Sequence, residues 1–120
     1  MALPATAVWE VRTDGSDNNG GGFNAARGGT DYTLQTAAQL ALTDIACASN
    51  TTLTSATGGF TAAMVGNIIQ IISGTNALAG FYEVTAYTDT NTVTIDRTCA
   101  TGGNMTAGVG NLGGALATPG

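Results

Sequence analysis

The residues best suited to chemistry crowd into one loop. Residues 13 to 23 read TDGSDNNGGGF. Asp14, Ser16 and Asn18 alternate, Asp17 and Asn19 stand between and beside them, and glycines follow. Oxygen ligands at alternate positions resemble a calcium loop, but such a loop also needs a central glycine and a distal bidentate Glu. Here the glycine and the Glu are misplaced, so Asp14, Asp17 and Asn19 form an incomplete ligand set. A phosphate cradle needs a Lys, or a helix that opens directly after the glycines. The chain has no Lys, and no good helix follows Phe23. The ordinary role of these residue types is to turn the chain: Asp and Asn bond their own backbone, and Gly takes positive φ without a clash. The loop is expected to reverse tightly over Trp9 and let Phe23 pack, with no metal and no cofactor.

Little else offers a reactive group. Nucleophilic catalysis needs a base beside Ser, Thr or Cys, and the chain has neither His nor Lys. Glu10, Glu83, Asp89 and Asp96 could in principle pair as a glycosidase acid and base. Glu83 falls in an alternating stretch and Asp89 in a turn, where solvated carboxylates are ordinary. The expectation is a protein that is not an enzyme, with no catalytic residue. Phe81, Tyr82 and Tyr87 could form a sugar platform, although aromatics on strands more often pair across a sheet or enter a core. Cys47 and Cys99 each follow a short β-like run. Two cysteines without histidine do not make a zinc site, and a cytosolic origin favours free thiols. If their strands are neighbours, Cys47 and Cys99 can form a disulfide after release into an oxidising medium.

The elements that would position these residues read mostly as strands. AVWEVR, residues 7 to 12, alternates with strand period and sends Trp9 toward a core. Residues 24 to 43 are ambiguous: Gly28 and Gly29 break an early helix, while LQTAAQLAL has helix formers. An isolated helix this short is marginal, so an irregular, extended arm is expected over 24–43. From Asp44 the pattern is β. DIACAS and TTLTS are separated by a turn at Asn50. Gly58, Gly59 and Gly66 mark turns around one helical turn at 61–64. NIIQIIS is apolar on both faces and reads as a buried strand. FYEVTAY and TVTID alternate across a turn at 88–91. Strands at such short, regular spacing suggest a small antiparallel barrel or sandwich over 44–99. Its expected core contains Phe60, Ile69, Ile71, Tyr82, Val84, Val93 and Ile95, with Trp9 and Phe23 from the N-terminal strand and Gly-rich turn, residues 1–23. Residues 100–120 form a Gly/Ala-rich C-terminal arm. Alone it could not bury enough to offset its backbone entropy; it could order as an added strand or on a partner.

Composition narrows the function. At 120 residues the chain is one small domain. Charged residues make up 9% of it, against about 25% in ordinary soluble domains. The basic residues are Arg12, Arg27 and Arg97 alone, and the net charge is −5. Nucleic acid and an acidic membrane surface both require clustered Lys or Arg, so neither is an expected partner. No run approaches the length of a transmembrane helix, and the N-terminus lacks the pattern of a signal peptide. A chain rich in Gly, Ala and Thr with so little charge suits the inside of an assembly, where neighbours cover the surface.

Two segments carry a family resemblance. VWEVRTDGSDNNGGG resembles the opening of parallel β-helix proteins of the pectate-lyase-like type. There a first strand leads into a Gly-Ser-Asp-x-Asn-x-Gly loop and then a Gly-x-Leu-Ala-x-Pro segment. LGGALATPG, residues 112 to 120, is similar to that second segment. The stretch between, with TSATGGFTAAMVGNII and GFYEVTAYTDTNTVTID, is similar to a small β module of bacteriophage structural proteins. The order of loop, module and tail resembles the N-terminal region of phage fibre, spike or decoration proteins. This sequence stops where rungs carrying a catalytic or glycan-binding groove would begin, as a stand-alone cap-like module or as a piece of a longer product, so no catalytic residue is implied.

The resemblance and the composition together predict an all-β domain with a small antiparallel barrel or sandwich and extended N- and C-terminal arms. They imply a structural protein of a tailed-phage virion, made in the host cytoplasm. It would decorate or cement the capsid or anchor a fibre, touching copies of itself as a trimer or lattice, and other virion proteins. The alternative is a receptor- or glycan-binding module of a tail spike.

Overall fold

The computed structural model describes residues 8, 9, 11, 13, 15–23, 40–114, 116 and 117. The fold is all-β. Two short strands, β1 (Val8–Trp9) and β2 (Gly22–Phe23), pair antiparallel, with Val8 opposite Phe23 and Trp9 opposite Gly22. The Gly-rich loop therefore reverses the chain, as its residue types require. The core roles expected of Trp9 and Phe23 concern side chains outside the described part.

Six further strands close a barrel: β3 (Leu40–Cys47), β4 (Thr52–Ser55), β5 (Ile68–Thr75), β6 (Gly80–Asp89), β7 (Thr92–Ile95) and β8 (Met105–Leu112). Their order around the barrel is β3-β4-β7-β6-β5-β8, with β8 returning to β3, and every neighbouring pair is antiparallel. Closure removes the sheet edges that would otherwise template aggregation. One turn of 3-10 helix, Ala62–Met64, bridges β4 and β5.

Alternation along the strands builds the core. Leu53, Val84, Val93 and Ile69 are fully buried, and Phe60, Ile71, Tyr82 and Ile95 are nearly so. Each such aliphatic side chain, removed from water, contributes about 1.5–3 kcal/mol before entropy is subtracted. Met105 and Leu112 of β8 and Leu42 and Ile45 of β3 complete the interior. The parity of β3 changes along its length: Leu42 is inside, and so is Ile45. A register shift between them accounts for the switch. Such a bulge bends the strand and re-aims a side chain, here that of Asp44.

Parts of both segments expected as arms belong to the barrel, the C-terminal one as an added strand. The barrel begins at Leu40, four residues before the expected boundary at Asp44, so 40–43 are not irregular; residues 24–39 lie outside the described part. Residues 105–112 are not a free arm but β8, inserted between β3 and β5. The reason is steric. At Gly108 an added Cβ would lie 2.9 Å from the Ile45 Cβ, and at Gly110 it would lie 2.8 Å from both the Gln70 carbonyl oxygen and the Ile45 Cδ1. The strand lacks bulk because its neighbours supply it. Burial of Ile45 and Ile71 over its glycines offsets the ordering cost that a tail on its own could not meet.

Candidate functional site

The loop at 15–21 leaves the reversal and docks on the outer face of the barrel. It starts as a turn in which Asn19 N–H donates to the Ser16 carbonyl at 3.0 Å, and Asn18 N–H donates to Ser16 Oγ at 3.3 Å. Gly20 and Gly21 then run beside the chain that leaves β8. Gly20 N–H donates to the Gly113 carbonyl at 2.9 Å, and Gly21 N–H to the Gly114 carbonyl at 2.8 Å. Gly113 N–H in turn donates to the Ile68 carbonyl at 2.8 Å. A Cβ on Gly20 would fall 2.1 Å from that Ile68 oxygen, so only glycine fits.

Two amide side chains clamp this loop. Gln70 and Asn111 are cross-strand partners on β5 and β8. Asn111 Nδ2 donates to the Asn18 carbonyl at 2.8 Å. The Gln70 amide, oriented with its nitrogen toward the loop so that donors meet acceptors, lies 2.9, 3.2 and 2.6 Å from the carbonyl oxygens of Asp17, Asn18 and Asn19. Farther on, Ala117 N–H donates to Asp17 Oδ1 at 3.1 Å, and Val11 and Leu116 form a parallel bridge. Ile68 and Leu116 are buried without joining the central core. They belong to a second, smaller contact between the barrel wall and the two flanking segments.

In this geometry the described oxygens of the opening loop have partners within the protein. A cation would need the loop carbonyls as well as side-chain oxygens. The carbonyls of Asp17, Asn18 and Asn19 are engaged by Gln70 and Asn111, Asp17 holds the Ala117 amide, and Asn19 is buried. Asp14 lies outside the described residues. Among the described residues, no group of three or more His, Cys, Asp or Glu is placed to hold a metal ion.

Of the remaining candidates the structure brings Glu83 and Asp96 together, with Asp96 N–H donating to the Glu83 carbonyl at 3.0 Å. Glu10 lies outside the described residues. Asp89 Oδ1 accepts the Asn91 N–H at 2.8 Å within the β6–β7 turn. Asp96 accepts the Glu83 N–H at 3.0 Å and pairs with Arg97 at 2.8 Å. Arg97 also donates to the Phe81 carbonyl at 2.7 Å and covers the Tyr82 ring at 4.4 Å from its centroid. Tyr82 is buried, its hydroxyl donating to the Leu78 carbonyl. Burial, above all, pushes the Tyr82 hydroxyl pKa up. Phe81, Tyr82 and Tyr87 therefore do not form a shared open platform for sugar. Cys47 and Cys99 are free thiols, both buried.

One polar cluster escaped the sequence reading. Asp44, turned outward by the bulge in β3, accepts from Ser55 Oγ and from the Thr57 amide and hydroxyl, the last two at 2.7 Å. Asn91 Nδ2 donates to the Ser55 carbonyl at 2.8 Å and ties the β6–β7 turn to the same corner. No local motif marks these residues; only the strand pairing brings them together.

Comparison with family models, curated proteins and solved structures finds no match to this chain. Among the described residues, no helix is long and apolar enough to cross a membrane.

Proposed function

We propose that the chain is a structural module of a tailed-phage virion that anchors a fibre or decorates the capsid through protein–protein contacts. It works as a trimer or within a larger lattice. The observation that carries this reading is the seam between the two flanking segments. The Gly-Ser-Asp loop and the LGGALATPG segment, which follow one another closely in β-helix proteins, lie far apart in this sequence. In the structure Gly20 and Gly21 bond to Gly113 and Gly114, and Val11 runs parallel to Leu116. The two motifs thus regain in space the adjacency they have along the β-helix chains. On this reading the barrel is a lateral insert, mounted on the entry strand of a fibre-like body.

Composition supports the same reading. Low charge and abundant Gly, Ala and Thr fit a surface covered by neighbours, and repetition supplies avidity without strong single contacts. Light scattering on the purified full-length chain tests the proposal. A mass of three chains or more, stable on dilution, is expected. A monomer at every concentration overturns the self-assembly it requires.

A further inference from the structure

Cys47 ends β3, and Cys99 lies just beyond β7. In the barrel β4 separates those two strands, yet both thiols are buried in the same core cluster. Thr98, next to Cys99, places its Oγ1 3.8 Å from Cys47 Sγ. Cys47 also donates to the Ala48 carbonyl at 3.2 Å. Burial alone would leave such a pair inert. A groove changes the position of one of them. It has a volume of about 370 Å³ and is lined by residues of β3, β4 and the start of β8. Ala46 and Cys47 of β3 and the following Ala48 line it, with Thr52 and Thr54 of β4 and Thr106 of β8. No lining side chain carries a charge. Cys47 therefore borders a neutral approach from solvent, while Cys99 is not part of the groove wall.

We infer that Cys47 is a modification site reached through this groove, at which a small neutral disulfide oxidises Cys47 and Cys99 to an intramolecular disulfide. In the first step Cys47 gives its proton to water and its sulfur attacks one sulfur of the reagent. The reagent S–S bond breaks, and one half leaves as a thiol after taking up a proton. Cys99 then loses its proton, attacks Cys47 Sγ and expels the second half as a thiol. The protein gives up two electrons and two protons, and the reagent takes up both. Burial, followed by the interaction with Cys47, pushes the Cys99 thiol up. The second step is accordingly the slow one and quickens as pH rises. The product staples β3 to the segment after β7 and closes the stretch of chain that contains β4 to β7. Closing a long loop restricts the unfolded chain, so the oxidised form is the more stable one.

The test uses reduced full-length protein incubated with 2-hydroxyethyl disulfide under native, mildly alkaline conditions, then quenched with acid. Intact mass and thiol alkylation after unfolding are the readouts. The expected result is a single-chain mass lower by two hydrogens, no alkylatable thiol, and a thermal midpoint raised by several degrees, reversed by dithiothreitol. Unreacted thiols, a persistent mixed disulfide, or a disulfide between two chains would each overturn the proposal. Oxidised glutathione, which is charged and larger, is expected to react more slowly; equal rates would remove the groove as the route. Cys99→Ala is expected to stop at the mixed disulfide on Cys47, and if that variant does not fold, the wild-type masses decide alone.

Discussion

A methyl group on Gly20 would lie 2.1 Å from the Ile68 carbonyl oxygen, and that oxygen is fixed by its bond from Gly113 N–H. Neither atom can yield without opening the seam. Gly20→Ala is therefore expected to cost about 2 kcal/mol or more, read as a lower denaturant midpoint. Asp44 makes a different prediction. Hydrogen bonds from Ser55, then from the Thr57 side chain and backbone, hold its carboxyl below the ordinary 3.8, outweighing desolvation. The unfolded chain then binds the proton first as acid is added. The stabilisation is complete above the unfolded value and is lost as pH falls through the lower, folded one. Stability measured against pH should drop below about pH 3.8 in the wild type, and Asp44→Ala should flatten that limb. An unchanged limb would show that these bonds contribute nothing. Neither residue's role was legible locally. Gly20 is one of several loop glycines in the sequence, and Asp44 meets Ser55 and Thr57 only because β3 bulges against β8 while it pairs with β4.

At the scale of elements, β8 carries the fold. It pairs with both β3 and β5, and the barrel has no closure without it. Its inward glycines leave room for Ile45 and Ile71. Gly110→Val should overpack that space and cost about 1–3 kcal/mol, measured by the same midpoint. A neutral effect would mean that β8 is not seated as described. The strands β4 to β7 were legible because they alternate and are punctuated by Asn50, Gly58, Gly59, Gly66 and Asn91. NIIQIIS was legible as a strand buried on both faces: Ile69 and Ile71 enter the core, while Ile68 is covered on the opposite face where the loop docks. The strand β8 was not legible. Its period is carried by glycine, which has no hydropathy to reveal a face, and its partners lie far away in sequence. The start of β3 was obscured in another way, since Leu, Ala and Gln are helix formers that tertiary pairing overrides.

At the largest scale, the described residues form a closed barrel joined to a seam of its two flanking segments. This arrangement explains why the sequence shows so little chemistry: its most polar loop is spent on backbone contacts with β5 and β8. It also gives the assembly reading its physical content, because the flanking segments leave one side of the barrel together rather than at opposite ends. The most direct measurement is amide hydrogen exchange of the full-length protein, resolved at Gly20, Gly21 and Gly113. Protection at these amides approaching that of the barrel strands is predicted, since each donates to a carbonyl of the opposing segment or of β5. Exchange at the rate of an open loop, with the barrel strands still protected, would contradict the seam and with it the argument that the two motifs form one unit.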